Sequence, residues 1–261
     1  MNLADPAIHI TRWGDRGPVV VLVHGSAQGS EVGGDRHFSA QARLAGRGWR
    51  VVVPDRPGHG RSPAPGRPDD AEADGRWVAD LLGEGAHLVG HSFGACVALA
   101  AATMRPLAVR SLTLIEPSMR PLSMDDPHVR QHVERQKEIF AGTASPAELA
   151  IQFAKHTGIP AGLTGGSGPD ALARKGLGVQ GLKMPSAAML RDGLALVARS
   201  GIPLLVVSGG WNRAFEANAD AVARLGGGRR IVIRSEHHFT QLEADAFNDV
   251  LAEFMSGADS R

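Results

Sequence analysis

The sequence predicts an α/β fold: a mostly parallel central sheet flanked by helices, with a helical segment inserted late in the chain. Three observations carry this. Short, continuous, β-branched apolar runs recur along the chain. Helix-length amphipathic stretches separate them, and turn residues follow each run directly. Continuous apolar strands are buried on both faces, as in parallel sheets. Strand–helix alternation winds such a sheet right-handed and covers both its faces.

In order, the runs are 19–23 before His24-Gly25, 51–53 before Pro54-Asp55, and 87–89 before Gly90-His91. They continue with 112–115 before Glu116-Pro117, 204–207 before Ser208-Gly209-Gly210, and 231–233 before Arg234-Ser235. Helices are expected at about 36–47, 69–84, 93–105, 215–226 and 242–256. Ligands of open α/β sheets bind beyond the carboxyl ends of the strands, so the turns after the runs are where chemistry is expected.

One segment breaks the alternation. Residues 119–200 hold helical patterns at 129–140, 146–156 and 187–199 and a glycine-rich loop at 162–168, but no strand. They divide the chain into a core of 1–118 and 201–261 and an inserted helical lid, 119–200. The glycine runs at 165–168 and 226–228 lack phosphate-loop spacing.

Composition narrows the function. The chain has 261 residues, 28 Lys+Arg against 27 Asp+Glu, and a formal net charge of +1, which argues against nucleic acid as a main partner. With 43% apolar and 21% charged residues it is globular in composition. One cysteine, Cys96, excludes an internal disulfide. No apolar run approaches the roughly 18–20 residues of a membrane span, and the first residues do not read as a secretion signal. A cytoplasmic protein is expected. Glycine (33) and proline (16) are abundant, and tyrosine is absent, so no phenol donor is available to a mechanism.

The strongest motif is Gly90-His91-Ser92-Phe93-Gly94. It fits G-x-S-x-G between a strand and an apolar helix, the context in which a sharp turn presents a nucleophilic serine. There, backbone N–H groups and the helix dipole favour developing negative charge.

With this motif the sequence resembles the α/β-hydrolase superfamily over nearly its whole length. His24-Gly25-Ser26 is similar to the family's oxyanion loop. Asp55-Arg56-Pro57-Gly58-His59-Gly60-Arg61-Ser62 is similar to its D-x-x-G-x-G-x-S turn. His238-Phe239-Thr240-Gln241-Leu242-Glu243 resembles its catalytic-histidine segment. The resemblance implies Ser92 as nucleophile and the backbone N–H groups of Ser26 and Phe93 as oxyanion hole. His238 is the implied base, with the adjacent His237 as the alternative. His237 stands where the family usually has glycine.

The acid departs from the family pattern. Where G-x-x-D is expected after the strand that follows the lid, this chain reads Gly209-Gly210-Trp211-Asn212. An amide cannot offset an imidazolium, and the Asp-to-Asn change costs serine-protease triads roughly 10⁴ in turnover. Glu116, at the end of the 112–115 run, takes the acid role instead, because some superfamily members supply the acid from this strand end. Asn212 remains the alternative, and Glu216 and Glu236 are weaker candidates.

His128, His132 and Glu134 have a spacing that could hold a metal, but Arg130, Arg135 and Lys137 mark that stretch as a solvated helix face. No metal or organic cofactor is expected. The missing tyrosine and the serine at the elbow disfavour the epoxide-opening branch, and the serine also disfavours the dehalogenases. The expectation is a serine hydrolase acting on a carboxylic ester, lactone or thioester of a small, largely apolar molecule. Alternatives are carbon–carbon bond hydrolysis, lyase or perhydrolase chemistry on the same residues, and a low-turnover ligand sensor.

Overall fold

A computed structural model describes residues 8–26, 34–142, 144–164 and 169–260. Residues 165–168 of the glycine-rich loop and residues 1–7 lie outside that set. The strands are β1 (Ile10–Trp13), β2 (Val19–Val23), β3 (Arg50–Pro54), β4 (Ala86–His91), β5 (Val109–Ile115), β6 (Leu204–Ser208) and β7 (Arg229–Val232). They form one sheet in the order β1-β3-β2-β4-β5-β6-β7, parallel except for β1 against β3. The parallel, helix-covered sheet is the one the apolar runs predict.

β1 has no counterpart in the sequence reading. It is a partly exposed edge strand of four residues, Ile-Thr-Arg-Trp, paired with β3 alone among the described residues. A sheet edge faces solvent along one side, so its sequence need not be a continuous apolar run. The last strand lies at 229–232 rather than 231–233, because Arg229 and Arg230 pair with Leu205 and Val206.

The helices are α1 (Gly34–His37), α2 (Ala71–Leu81), α3 (Phe93–Met104), α4 (Pro127–Ala141) and α5 (Pro146–His156). They continue with α6 (Ala161–Thr164), α7 (Pro169–Gln180), α8 (Ala187–Arg199), α9 (Arg213–Gly226) and α10 (Ala244–Asp259). The helix expected over 36–47 is mostly 3₁₀, Ser39–Arg47, ending at Gly48 in the left-handed region. Helix starts are set by side chains: Asp70, Asp126, Ser186 and Asn212 cap α2, α4, α8 and α9, and Ser145 with Glu148 forms a capping box on α5.

Successive strand side chains face opposite ways, and this splits the core in two. Val21, Val23, Leu112, Leu114 and Val206 pack on α2, α3, α8 and α9. Val20, Leu22, Val53, Ile115 and Val207 pack with Phe38, Leu44 and the Phe247, Leu251 and Met255 face of α10. The 119–200 segment contains no named strand among its described residues. Its final helix, α8, lies on α3, since a Cβ on Gly193 would sit 3.1 Å from Leu99. Leu190, Leu194 and Val197 of α8 join the first core. No helix among the described residues is long and apolar enough to cross a membrane.

Phe247 is fully buried in the second core. Phe247→Ala should cost about 3–5 kcal/mol and lower the thermal midpoint by on the order of 10 °C, measured by circular dichroism.

Candidate active site

Local sequence forces the turn that carries Ser92. β4 runs directly into α3, and Ser92 between them adopts φ 57 and ψ −121. That is an unfavourable conformation for a residue with a side chain, and its cost is borne by the surrounding packing. The flanking glycines make it possible. A Cβ on Gly90 would meet Ala95 Cα at 2.7 Å, and one on Gly94 would collide with the backbone carbonyls of Val23 and His24. The turn is then pinned by backbone bonds, Ser92 N to Ile115 O at 2.9 Å and Ser118 N to Ser92 O at 3.1 Å.

Glu116 follows β5 and is also strained, with φ 46. Its backbone N donates to Val207 O at 2.8 Å, tying the end of β5 to β6. The carboxylate is fully buried. Oε1 accepts from Gly209 N at 2.6 Å and Thr240 Oγ1 at 3.4 Å, and Oε2 from Trp211 Nε1 at 3.3 Å. His238 Nδ1 stands 3.4 Å from Oε2. Burial pushes the Glu116 carboxyl up to about 8, against the opposing pull of the Gly209 and Trp211 donors. Burial pushes His238 down to about 3, helped by the nearby Arg120 guanidinium and the His237 ring.

His238 is held at both ends of its own peptide unit. Its N–H donates to Gly158 O at 2.9 Å, and its carbonyl accepts from His91 Nε2 at 2.9 Å. The His91 ring also lies against the His238 ring, centroids 4.8 Å apart. His237 is half-buried, and its Nδ1 is engaged locally by Ser235 Oγ at 3.0 Å and Phe239 N at 3.3 Å. Ser92, Phe93, Ser26 and His238 line one small cavity of about 20 Å³, whose wall does not include His237.

The other candidates take structural positions. Asn212 Oδ1 accepts from Ala214 N at 2.9 Å as the cap of α9. Glu216 binds Gly210 N at 2.9 Å and Arg230 at 2.6 Å, and Glu236 is exposed. His132 is buried, stacked on His156 at 4.0 Å, while His128 four residues earlier is exposed. Cys96 is buried with its thiol pushed up to about 12, which removes thiolate reactivity. In the 55–62 turn, Asp55 Oδ2 accepts from Arg61 N at 2.9 Å and Ser62 Oγ donates to Asp55 O at 2.6 Å. His24 Nε2 accepts from Arg56 N at 2.9 Å, and Ser26 Oγ donates to Asp69 Oδ2 at 3.2 Å, which shapes the loop bearing the Ser26 N–H.

Sequence reasoning missed three residues here. His91 occupies the variable position of the serine motif but anchors the His238 loop. Ser118 places its Oγ 3.5 Å from Ser92 Oγ. Arg120 lines the same cavity. A motif displays the residues that fit it, and the contacts of these three are set only when β4, β5 and the His238 loop come together.

The family profile described as alpha/beta hydrolase fold matches residues 18–160. Over 248 residues the chain is 31% identical to the pimeloyl-[acyl-carrier protein] methyl ester esterase of Neisseria meningitidis serogroup A, covering 91% of this chain and 77% of that protein. It is 35% identical over 133 residues to the lipase LipV of Mycobacterium tuberculosis, a match covering 49% of this chain and 47% of the lipase. A solved hydrolase from Pseudomonas aeruginosa superposes with a TM-score of 0.68 at 21% identity, covering 97% of this chain and 99% of that one.

A base works when unprotonated, and a group with a depressed pKa keeps that form until the pH falls through the lowered value. An acid partner works when ionised, and a raised pKa withdraws that form as pH falls through the higher value. The pH profile of kcat/KM should therefore carry a limb toward 8 from Glu116. In Glu116→Gln that limb should vanish with most of the rate, and the residual activity should hold down to acid pH, because the causes that lower His238 to about 3 remain.

Proposed function

The chain belongs to the alpha/beta hydrolase family, and on that premise we propose that it cleaves a carboxylic ester of a small, largely apolar substrate through an acyl-enzyme on Ser92. The observation that carries this is the placing of Ser92, on its strained turn, in one cavity with His238, whose Nδ1 lies beside the buried Glu116 carboxyl.

Ser92 Oγ attacks the ester carbonyl while His238 Nε2 takes the hydroxyl proton. Glu116 accepts the Nδ1–H bond, fixing the tautomer and stabilising the imidazolium that forms. The N–H groups of Ser26 and Phe93 receive the oxyanion; fixed backbone donors do this with no reorganisation as charge develops. The imidazolium returns its proton to the departing alcohol. Water activated by the same His238 then releases the acid. Phe153, Ile159, Leu182 and Phe215 give the cavity apolar walls suited to an acyl chain. Lactones and thioesters react by the same acyl transfer.

A volume near 20 Å³ admits about one water, so an ester enters only when the covering residues move. Phe153 of α5 and Thr157 and Ile159 just after it form part of that cover. We assign the lid role within 119–200 to α4–α7, with α8 left against α3.

A fluorophosphonate probe should label the wild type and leave Ser92→Ala unlabelled; undiminished labelling of the variant overturns the assignment. On p-nitrophenyl butyrate, Glu116→Gln should lower kcat by about 10²–10⁴. Asn212→Ala should leave kcat within about twofold and cost about 1 kcal/mol of stability as a lost helix cap. If Asn212→Ala alone abolishes turnover, Glu116 is not the acid.

A further inference from the structure

Arg120 is a buried cation with no counter-ion among the described residues, and it borders the cavity that holds Ser92. It lies in the short turn Arg120–Leu122 that follows β5 and leads toward α4. Only 8% of the residue is exposed, yet it lines the cavity of Ser92 and His238. Nη2 donates to Gln136 Oε1 on α4 at 3.1 Å, and this neutral amide is its hydrogen-bond partner among the described residues. Among the described residues no carboxylate forms an ion pair with it or shifts its charge. Burial lowers Arg120 to about 10, which leaves it protonated at neutral pH, and its field contributes to the lowering of His238.

Arg56 gives the contrast within the same chain. It is fully buried, and it carries Asp69 at 2.6 Å and Asp74 at 3.1 Å. A buried guanidinium ordinarily has such partners, because an unpaired buried charge is costly. The planar fork of a guanidinium matches a carboxylate in a two-bond arrangement that neutral esters cannot reproduce. Phe153, Ile159 and Leu182 line the same cavity as Arg120 and give it apolar wall.

We propose that Arg120 binds a carboxylate of the substrate, so that the preferred esters are monoanions with an apolar stem, such as the half-ester of a dicarboxylic acid. This rests on the ester-hydrolase reading above and adds the charge that the substrate brings to the cavity. The counter-ion missing from the protein arrives with the substrate. Gln136 holds one edge of the guanidinium and sets its plane.

The test compares carboxylates with isosteric amides. Monomethyl adipate is paired with methyl adipamate, and 4-acetoxybutanoate with 4-acetoxybutanamide, which places the charge on the acyl or the alcohol side. Wild type should favour at least one carboxylate by about tenfold or more in kcat/KM, the worth of a hydrogen bond to a charged group. Arg120→Gln should bring that ratio to about one, mainly through KM, and Arg120→Lys should keep part of it. Ratios at or below one for both wild-type pairs, or a preference that survives in Arg120→Gln, overturn the proposal. A second readout needs no turnover and no variant. Adipate should slow fluorophosphonate capture of Ser92 in the wild type more than adipamide does, and equal protection overturns the proposal. Hydrolysis of p-nitrophenyl acetate tests the ester-hydrolase reading separately: its absence with intact differential protection counts against that reading and leaves Arg120 as an anion site.

Discussion

The buried carboxylate of Glu116 is the constraint on which the rest of the site depends. A carboxyl group removed from water must be met by hydrogen-bond partners, and here they come from two separate parts of the chain. The turn after β6 supplies Gly209 N and Trp211 Nε1, the final loop supplies Thr240 Oγ1, and the His238 ring lies beside the same carboxylate. The donors converge because β5 and β6 are adjacent parallel strands whose carboxyl ends lie side by side. The strain at Glu116 and at Ser92 is held by the same seam, through Glu116 N to Val207 O and Ser92 N to Ile115 O.

This arrangement gives a physical account of the unusual turn after β6. Asn212 stands where the family pattern places an acid, and its side chain is committed to starting α9. The turn still donates to a carboxyl group beside the His238 ring, one that comes from the neighbouring strand. With Glu116 as the proposed acid, the carboxyl group departs from a different strand yet lies beside His238 Nδ1.

Much of the fold was legible because buried parallel strands write continuous apolar runs, and 19–23 and 204–207 lie within β2 and β6. β1 was not, because an edge strand need satisfy only one neighbour. The helix α7 (Pro169–Gln180) was also unread: Gly176 and Gly178 interrupt its pattern, and Gly176 is required where the backbone of Pro146 approaches. In the site, Ser92 was legible from contiguous residues. Glu116 was legible only as a carboxylate out of place after an apolar strand. The choice between His237 and His238 rested on pattern, and in the fold the two differ by burial and by which partners their rings meet. Arg120 could not be read at all, since the absence of a counter-ion is a property of the assembled cavity and not of any segment.

The bond from His238 N to Gly158 O joins the last loop of the core to the residues just after α5. The bulk of Trp211 presses on the same point, since a Cβ on Gly158 would sit 2.5 Å from its ring. On the proposed reading, the cover and the base thus share one mechanical joint. In that proposal, lifting the end of α5 to admit or discharge a molecule would loosen the peptide that aims the imidazole, and seating it would restore that aim. By reciprocity, a ligand that favours the seated cover also favours the aligned base. Under the proposed mechanism, proton-transfer competence and enclosure would then be two readings of a single conformational equilibrium.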